Sequence, residues 1–375
     1  MLKPATYIED RQSLDGAVGR LAAQSRLAVD TESNSMYAYR GRTCLVQIST
    51  ADEDLLIDPL AIDDIGALGG ILADPAIEKV FHAAEYDLIC LKRDFDFDVC
   101  GIFDTMAAAR VCGYTRIGLG NMLSDLLDVP HSKKHQTDDW ARRPLPASYR
   151  RYAQMDTHYL LRLRDCLYAE LAAADKLDEA REYFDDVTRF ELKSLDFDPD
   201  GFWTLSRPGA LDKRQMAALR ELYILRDELA QARDEPPGRM MSNKALLQIA
   251  KSLPRRPSEL EGMRGLPRWL VRRHGHEVIE AVKHGAESRL PLAPPRQPRI
   301  PNHIAERYNA LMTWRRQTAQ ARGVESDVII SKDALWQIAR RKPGTVDDLR
   351  GIDGLGPWRR GEYGKALLRV INGRG

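Results

Sequence analysis

Over the first half of the chain, short apolar runs alternate with amphipathic stretches, and helical periodicity takes over in the second half. Leu27-Ala28-Val29 running into Asp30, Thr43 to Thr50, Leu55-Leu56-Ile57 and Lys79-Val80-Phe81 each read as a strand bounded by polar residues. Residues 65–72, 86–93 and 105–111 carry apolar positions at helical spacing, with Leu88, Ile89 and Leu91 facing inward in the second of these. Pro146 opens a single long helix through Tyr152, Leu160, Leu163 and Leu167. Strands interleaved with helices predict a mixed sheet flanked by helices. Two segments cannot continue regular structure. One, over 196–212, holds Pro199, Gly201, Pro208 and Gly209; the other, over 288–302, holds Pro291, Pro294, Pro295, Pro298 and Pro301. They divide the chain into an α/β domain over 1–200 and two helical domains over 210–290 and 300–375.

The two helical domains are copies of one another. A shift of 89 positions, with no gap, aligns Ala230-Gln231-Ala232-Arg233 with Ala319-Gln320-Ala321-Arg322, and Ala245 to Ala250 with Ala334 to Ala339. The same shift aligns Leu260, Gly262, Gly265 and Trp269 with Leu349, Gly351, Gly354 and Trp358. Each copy reads as a helix, a loop, a short helix, a glycine-bounded turn and a closing helix, with Trp269 and Trp358 expected in the two cores.

Composition excludes several classes. With 43% hydrophobic and 30% charged residues the chain has the make-up of a folded globular protein. Met1-Leu2-Lys3-Pro4 does not begin a signal peptide, and no run reaches the ~18 apolar residues of a membrane span. The five cysteines are odd in number and lack Cys-x-x-Cys spacing, which predicts neither a disulfide framework nor a zinc site and suits the cytoplasm. Charge is the informative quantity. The overall +1 conceals −13 over residues 1–200 and +14 over 201–375. The basic half suits a polyanion partner, and the acidic half can hold phosphate only with added cations.

Three features of the acidic half carry candidate chemistry. Asp30 and Glu32 sit two apart at a strand end, so both carboxylates share one face; taken alone they also read as a polar loop after a strand. Asp87 falls in the first turn of a helix, where the helix dipole explains an acid equally well. Tyr152 and Asp156, four apart, share one side of the long helix. By themselves they are equally a core tyrosine and a solvated acid.

The order and spacing of the three features raise their weight. Together they resemble the three exonuclease motifs of the DEDD superfamily, in the subclass with a tyrosine. Supporting stretches are Leu45-Val46-Gln47-Ile48, Phe103-Asp104-Thr105, Gly118-Leu119-Gly120, Asp139-Trp140 and Arg143-Pro144-Leu145. The combination resembles the ribonuclease D family, and the duplicated module resembles the HRDC (helicase and RNase D C-terminal) fold. The resemblance implies an α/β ribonuclease H-like exonuclease domain followed by two all-α HRDC-type domains. It implies that Asp30, Glu32, Asp87 and Asp156 are ligands of two divalent cations, Mg2+ or Mn2+, and that Tyr152 orients the attacking water or helps to deprotonate it; a phenol of ordinary pKa near ~10 is a poor base, which favours orientation. It also implies a 3′→5′ exoribonuclease acting on RNA with a free 3′ end, tRNA precursors in particular, as a monomer and away from membranes. A 3′→5′ DNA exonuclease and a non-catalytic nucleic-acid scaffold are the competing readings. The stretch from His131 to Gln136 (HSKKHQ) departs from the family's pattern in its wealth of Lys and His. Further candidates for substrate contact are Gln47, His82, Tyr37, Arg268 and Arg359. Gln47 and His82 are equally readable as structural hydrogen-bond formers and Tyr37 as an exposed loop residue, while Trp140 is expected as a packing anchor. Arginines beside the glycine turns, including Arg264, Arg268, Arg272, Arg273, Arg350, Arg359 and Arg360, would supply affinity for a phosphate backbone.

Overall fold

Runs of β-branched and aliphatic residues that are buried on both faces, such as Thr43 to Ser49, form the centre of a six-stranded sheet in a computed structural model of the chain. The structure describes residues 2–132, 134–192, 194–206, 209–290, 292–295 and 299–373. Lys133 of the basic loop and Pro208, Pro291 and Pro298 of the two proline-containing segments lie outside them. The α/β elements in chain order are β1 (Thr6–Ile8), α1 (Arg11–Leu21), β2 (Arg26–Ser33), β3 (Thr43–Ser49), β4 (Asp54–Ile57), α2 (Ala67–Ala73), β5 (Glu78–Phe81), α3 (Glu85–Phe95), β6 (Ile102–Asp104), α4 (Thr105–Cys112), α5 (Leu119–Leu127), α6 (Ala147–His158), α7 (Leu160–Ala173) and α8 (Leu177–Val187). The strand order is β1-β4-β3-β2-β5-β6, with β3 antiparallel to both of its neighbours and the other pairings parallel.

Alternation along β2 sends Leu27 and Val29 into one core, which they share with Leu14 of α1, Leu68 of α2 and Leu88 of α3. Ala28 goes to the opposite core, with Leu163 and Leu167 of α7. Asp30 and Glu32 follow Ala28 on that second face, the one against which α6 packs through Ala153 beside Leu45 and Leu56. The expected single helix after Pro146 is two helices. The ladder breaks at Tyr159 (φ −99°, ψ −2°); α6 packs on β2, β3 and β4, and α7 on β2 and β5. The short strands β1 and β6 and the helices α1 and α5 have no counterpart in the sequence reading.

The chain divides into two compact units. The second comprises Asn34–Arg42 and Lys193–Gln297, so the connection from β2 to β3 belongs to it. It holds α9 (Lys213–Arg233), α10 (Pro237–Met240), α11 (Asn243–Ser252) and α12 (Arg268–Glu287), which close over Leu219, Leu222, Leu246, Ile249, Leu270 and Val278. Trp269 is not in that core as expected. It is 36% exposed, because the first turn of α12 turns Leu270 inward instead. The second copy of the module, α13 (Asn302–Arg322), α14 (Ser326–Ile329), α15 (Lys332–Arg341) and α16 (Pro357–Ile371), belongs to the first unit with the sheet. Its contact with α8 combines apolar packing of Val328 with Ala180, Tyr183 and Phe184 and a set of charged contacts. Arg322 pairs with Glu179 at 2.7 Å, and the backbone N–H groups of Gly356 and Trp358 each donate to Glu182 at 2.8 Å. Arg359 is fully buried between Asp186 and Glu182. Among the described residues no helix is long and apolar enough to cross a membrane.

Candidate active site

The sheet and α6 bring together the acids that sequence spacing singled out. Ligand oxygens of Asp30, Glu32 and Asp156 lie within 4.8 Å of one another. Two come from alternate positions of β2 and the third from α6, so the convergence depends on how α6 seats on the sheet. That seating is fixed by the segment before it. Arg143 makes a forked pair with Asp58, 2.6 Å to each oxygen, and donates to the carbonyls of Trp140 and Cys44. Trp140, 1% exposed, packs against Tyr149 and Tyr152 at 5.2 and 6.0 Å, as the anchor it was expected to be.

Asp87 faces the same cleft, of about 340 Å³, but stands outside the group of three. Its carboxylate accepts from the backbone N–H of Thr31 at 3.0 Å and from the Thr31 hydroxyl at 2.6 Å, which ties α3 to β2 between the two strand acids. The approach to α3 is shaped by Asp104. This side chain caps α4 through Met106 and Ala107, and also accepts from Ala83 and Ala84. Ala83 is thereby held in the left-handed region at φ +67°, a conformation that costs a non-glycine residue energy.

Electrostatics mark this cluster as built for cations. Burial, then the charges of Asp87, Asp156 and Glu32, push the Asp30 carboxyl well above its ordinary range. Glu32 rises for the same reasons, burial first and then Asp156 and Asp87. Burial pushes Asp87 up to about 7 against the opposing hydrogen bonds from Thr31. Asp156 is raised by burial and partly restored by His131. Four carboxylates that repel one another in a half-buried cleft are destabilising unless positive charge is added. An all-oxygen donor set suits a hard divalent ion such as Mg2+ or Mn2+. The residues present therefore fit such ions. Burial, followed by the charges of Asp156, Glu32 and Asp30, raises the Tyr152 phenol far above neutrality, so it remains a proton donor.

His131, noticed in the sequence only as part of a basic loop, is a member of the site. Its Nε2 lies 2.7 Å from Asp156 Oδ1, its side chain is 4% exposed, and its ring lies 5.7 Å from Tyr152. His135 of the same loop packs on Tyr149 at 4.6 Å and bonds Asp138. The signal available in the sequence was the loop's histidine content, and spacing could not say which histidine reaches α6.

The remaining candidates divide. His82 lines the cleft, its Nδ1 2.9 Å from the Thr105 hydroxyl, and burial lowers its pKa to about 4, so it is neutral. Gln47 sits in register with Asp30 on β3 but is fully buried, so as placed it cannot touch a nucleotide, and that assignment is corrected. Its amide finds no hydrogen-bond partner among the described residues. Tyr37 belongs to the second unit, where the Arg239 guanidinium covers its ring at 4.6 Å; it is not a free stacking platform. Arg268 is exposed at the start of α12. Arg359 is withdrawn as a substrate contact because it is fully buried and neutralised by Asp186 and Glu182.

Comparison with known proteins agrees with this geometry. A 3′-5′ exonuclease family model matches residues 5–172, and an HRDC domain model matches residues 215–282 and 305–371. The exosome complex component 10 homolog of Caenorhabditis elegans is 32% identical over 330 residues, covering 87% of this chain and 36% of that protein. The chain spans between about a third and a half of the length of the first curated relatives it matches. Ribonuclease D of Nitrobacter hamburgensis is 29% identical over 366 residues, covering 96% of this chain and 94% of that one. Among solved structures, the catalytic core of RRP6 from Trypanosoma brucei superposes with a TM-score of 0.67 at 31% identity, over 75% of this chain and 79% of that one.

Proposed function

The chain belongs to the ribonuclease D and RRP6 family of 3′-5′ exonucleases, and we propose that it is itself a 3′→5′ exoribonuclease that trims RNA 3′ ends, tRNA precursors among them, with two divalent ions. The observation that supports this most directly is the convergence of Asp30, Glu32 and Asp156 within 4.8 Å, with Asp87 and Tyr152 on the same cleft. A pair of Mg2+ or Mn2+ ions held by Asp30, Glu32, Asp87 and Asp156 would neutralise the scissile phosphate and acidify the attacking water.

The chain's own residues supply the rest. Water attacks the last phosphodiester in line, the bond to the 3′ oxygen of the preceding nucleotide breaks, and a nucleoside 5′-monophosphate leaves. The Tyr152 phenol, kept protonated, holds the water by donating to it or to the phosphate, and does not deprotonate it. His131 holds the Asp156 carboxylate through one of its oxygens, and the Tyr152 phenol also bonds that carboxylate. His82 is neutral and half-buried, so it adds shape and polarity without adding a charge.

The decisive experiment is product analysis on a 3′-extended tRNA and on matched RNA and DNA oligonucleotides, with magnesium, manganese or chelator. The expected result is metal-dependent release of nucleoside 5′-monophosphates from RNA, lost in Asp30→Asn and Asp156→Asn variants that fold normally. Hydrolysis by those variants at the wild-type rate would remove the cluster from the reaction, and faster release from DNA would favour the deoxyribonuclease reading.

A further inference from the structure

The internal duplication offers a comparison within the chain itself. In the second module Arg322 lies over Trp358 at 5.9 Å, and Tyr363 meets that indole edge-on at 5.7 Å while also bonding Arg322. The same three positions of the first module repeat the arrangement. Arg233 lies over Trp269 at 4.3 Å, and His274 meets the indole edge-on at 6.3 Å. The two sets differ in what they hold. The Arg322 guanidinium receives the buried carboxylate of Glu179 at 2.7 Å. Among the described residues Arg233 pairs with Glu235 alone, two residues along its own chain, and both side chains are partly exposed. Such a pair is weak and easily exchanged.

The surrounding residues have diverged in a consistent direction. Around Trp269 the first module carries Arg264, Arg268, Arg272 and Arg273, all exposed. The corresponding positions of the second module are Asp353, Pro357, Gly361 and Glu362. Conversely, buried Arg359, which docks the second module on α8, corresponds to Leu270 in the first. One copy has thus spent its anion-binding face on an intramolecular carboxylate, while the other has kept that face open and made it more basic. Trp269, Arg272, Arg273 and His276 fall on one side of α12 at spacings of three, four and seven.

We propose that the α12 face centred on Trp269 and Arg233 is an RNA-binding surface, in which Arg233 takes a backbone phosphate where Arg322 takes Glu179, and Trp269 stacks on a base. This deepens the exoribonuclease reading and rests on it. RNA is favoured over an acidic protein because four further arginines exceed what one carboxylate requires, and because an exposed indole between cations matches alternating bases and phosphates.

The test uses the full chain carrying Asp30→Asn, so that RNA is not consumed, and a fluorescent hairpin RNA with a single-stranded 3′ extension. Arg233→Glu and Trp269→Ala are each expected to weaken binding about tenfold. Arg233→Glu should lower the slope of log affinity against log salt by about one. Trp269→Phe should recover most of the affinity that the alanine loses, which a packing defect would not do. With Asp30 restored, neither variant should slow hydrolysis of a dinucleotide. Unchanged RNA affinity in both variants overturns the proposal, as does a loss confined to self-association or to binding of an acidic protein. Failure of the exonuclease reading would instead show as hydrolysis by Asp30→Asn, a separate measurement.

Discussion

Neutralising Asp87 should stabilise the metal-free protein while destroying its activity, and the gain should grow with pH. Asp87→Asn keeps an oxygen to accept from the Thr31 N–H and hydroxyl, so the tie between α3 and β2 survives. In the wild type the carboxyl is pushed from 3.8 to about 7 by burial. A group raised in this way favours folding fully below its unfolded pKa, and that contribution is lost as pH rises through its folded value. At ~1.4 kcal/mol per unit, the penalty for holding the ionised group is about 4 kcal/mol above pH ~7 and about 1.6 near pH 5. Asn carries neither penalty, so its advantage should widen by about 3 kcal/mol between the two conditions, or roughly half that where Asp30 takes up part of the proton. For domains of this size ~1 kcal/mol moves Tm by roughly 2–4 °C, so the variant should melt about 5 °C higher than wild type near pH 8 in chelator. Excess Mn2+ should reverse the order, because it binds only the intact set. Thermal unfolding in the two buffers is sufficient. A gain of the same size near pH 5 and near pH 8, or a loss at both, refutes the reasoning.

Three other outcomes follow from the geometry. Tyr152→Phe removes the donor and keeps the ring, so kcat on a short RNA should fall on the order of 10²-fold with KM little changed; a fall at low pH alone would mean the phenol acts otherwise. His131→Ala should weaken Mn2+ binding on the order of 10-fold, read by calorimetry, because Asp156 loses the partner that fixes its carboxylate. Arg359→Met strips the counter-charge from half-buried Asp186 and should cost on the order of 2–3 kcal/mol in chemical denaturation, with RNA affinity in the folded protein unaltered. A selective loss of RNA affinity would reinstate Arg359 as a substrate contact.

The acidic cluster and Tyr152 were legible in the sequence because each lies on an element that local pattern specifies. Asp30 and Glu32 inherit their common face from strand alternation, and Tyr152 and Asp156 inherit theirs from helical spacing. What pattern could not convey was contact across elements. His131 lies in a loop whose path depends on how Trp140, Arg143 and Asp58 seat the following helix, and no local rule orients it toward Asp156. Gln47 was misassigned for the opposite reason. Its alternation was right and put it beside Asp30, but burial by α6 is a tertiary property. The break at Tyr159 was hidden because Leu160, Leu163 and Leu167 continue a helical spacing that α6 and α7 satisfy separately.

Duplication shows why composition was only half a guide. The +14 charge of the second half suggested two equivalent basic grips on a polyanion, and sequence symmetry encouraged that view. The structure breaks the symmetry through burial. In the second copy Arg322 and Arg359 face Glu179, Glu182 and Asp186 of α8, a helix of the acidic half, so part of the long-range charge division is consumed inside the protein. A basic residue near a glycine turn is evidence for phosphate binding only once its own carboxylate has been ruled out. Arg359 fails that test, whereas Arg264, Arg268, Arg272 and Arg273 remain exposed. The positions at which two copies of one module differ therefore say more about their separate tasks than the residues they share. The shared Arg–Trp pair is what makes an anion site, and the neighbours decide whether the anion is the protein's own.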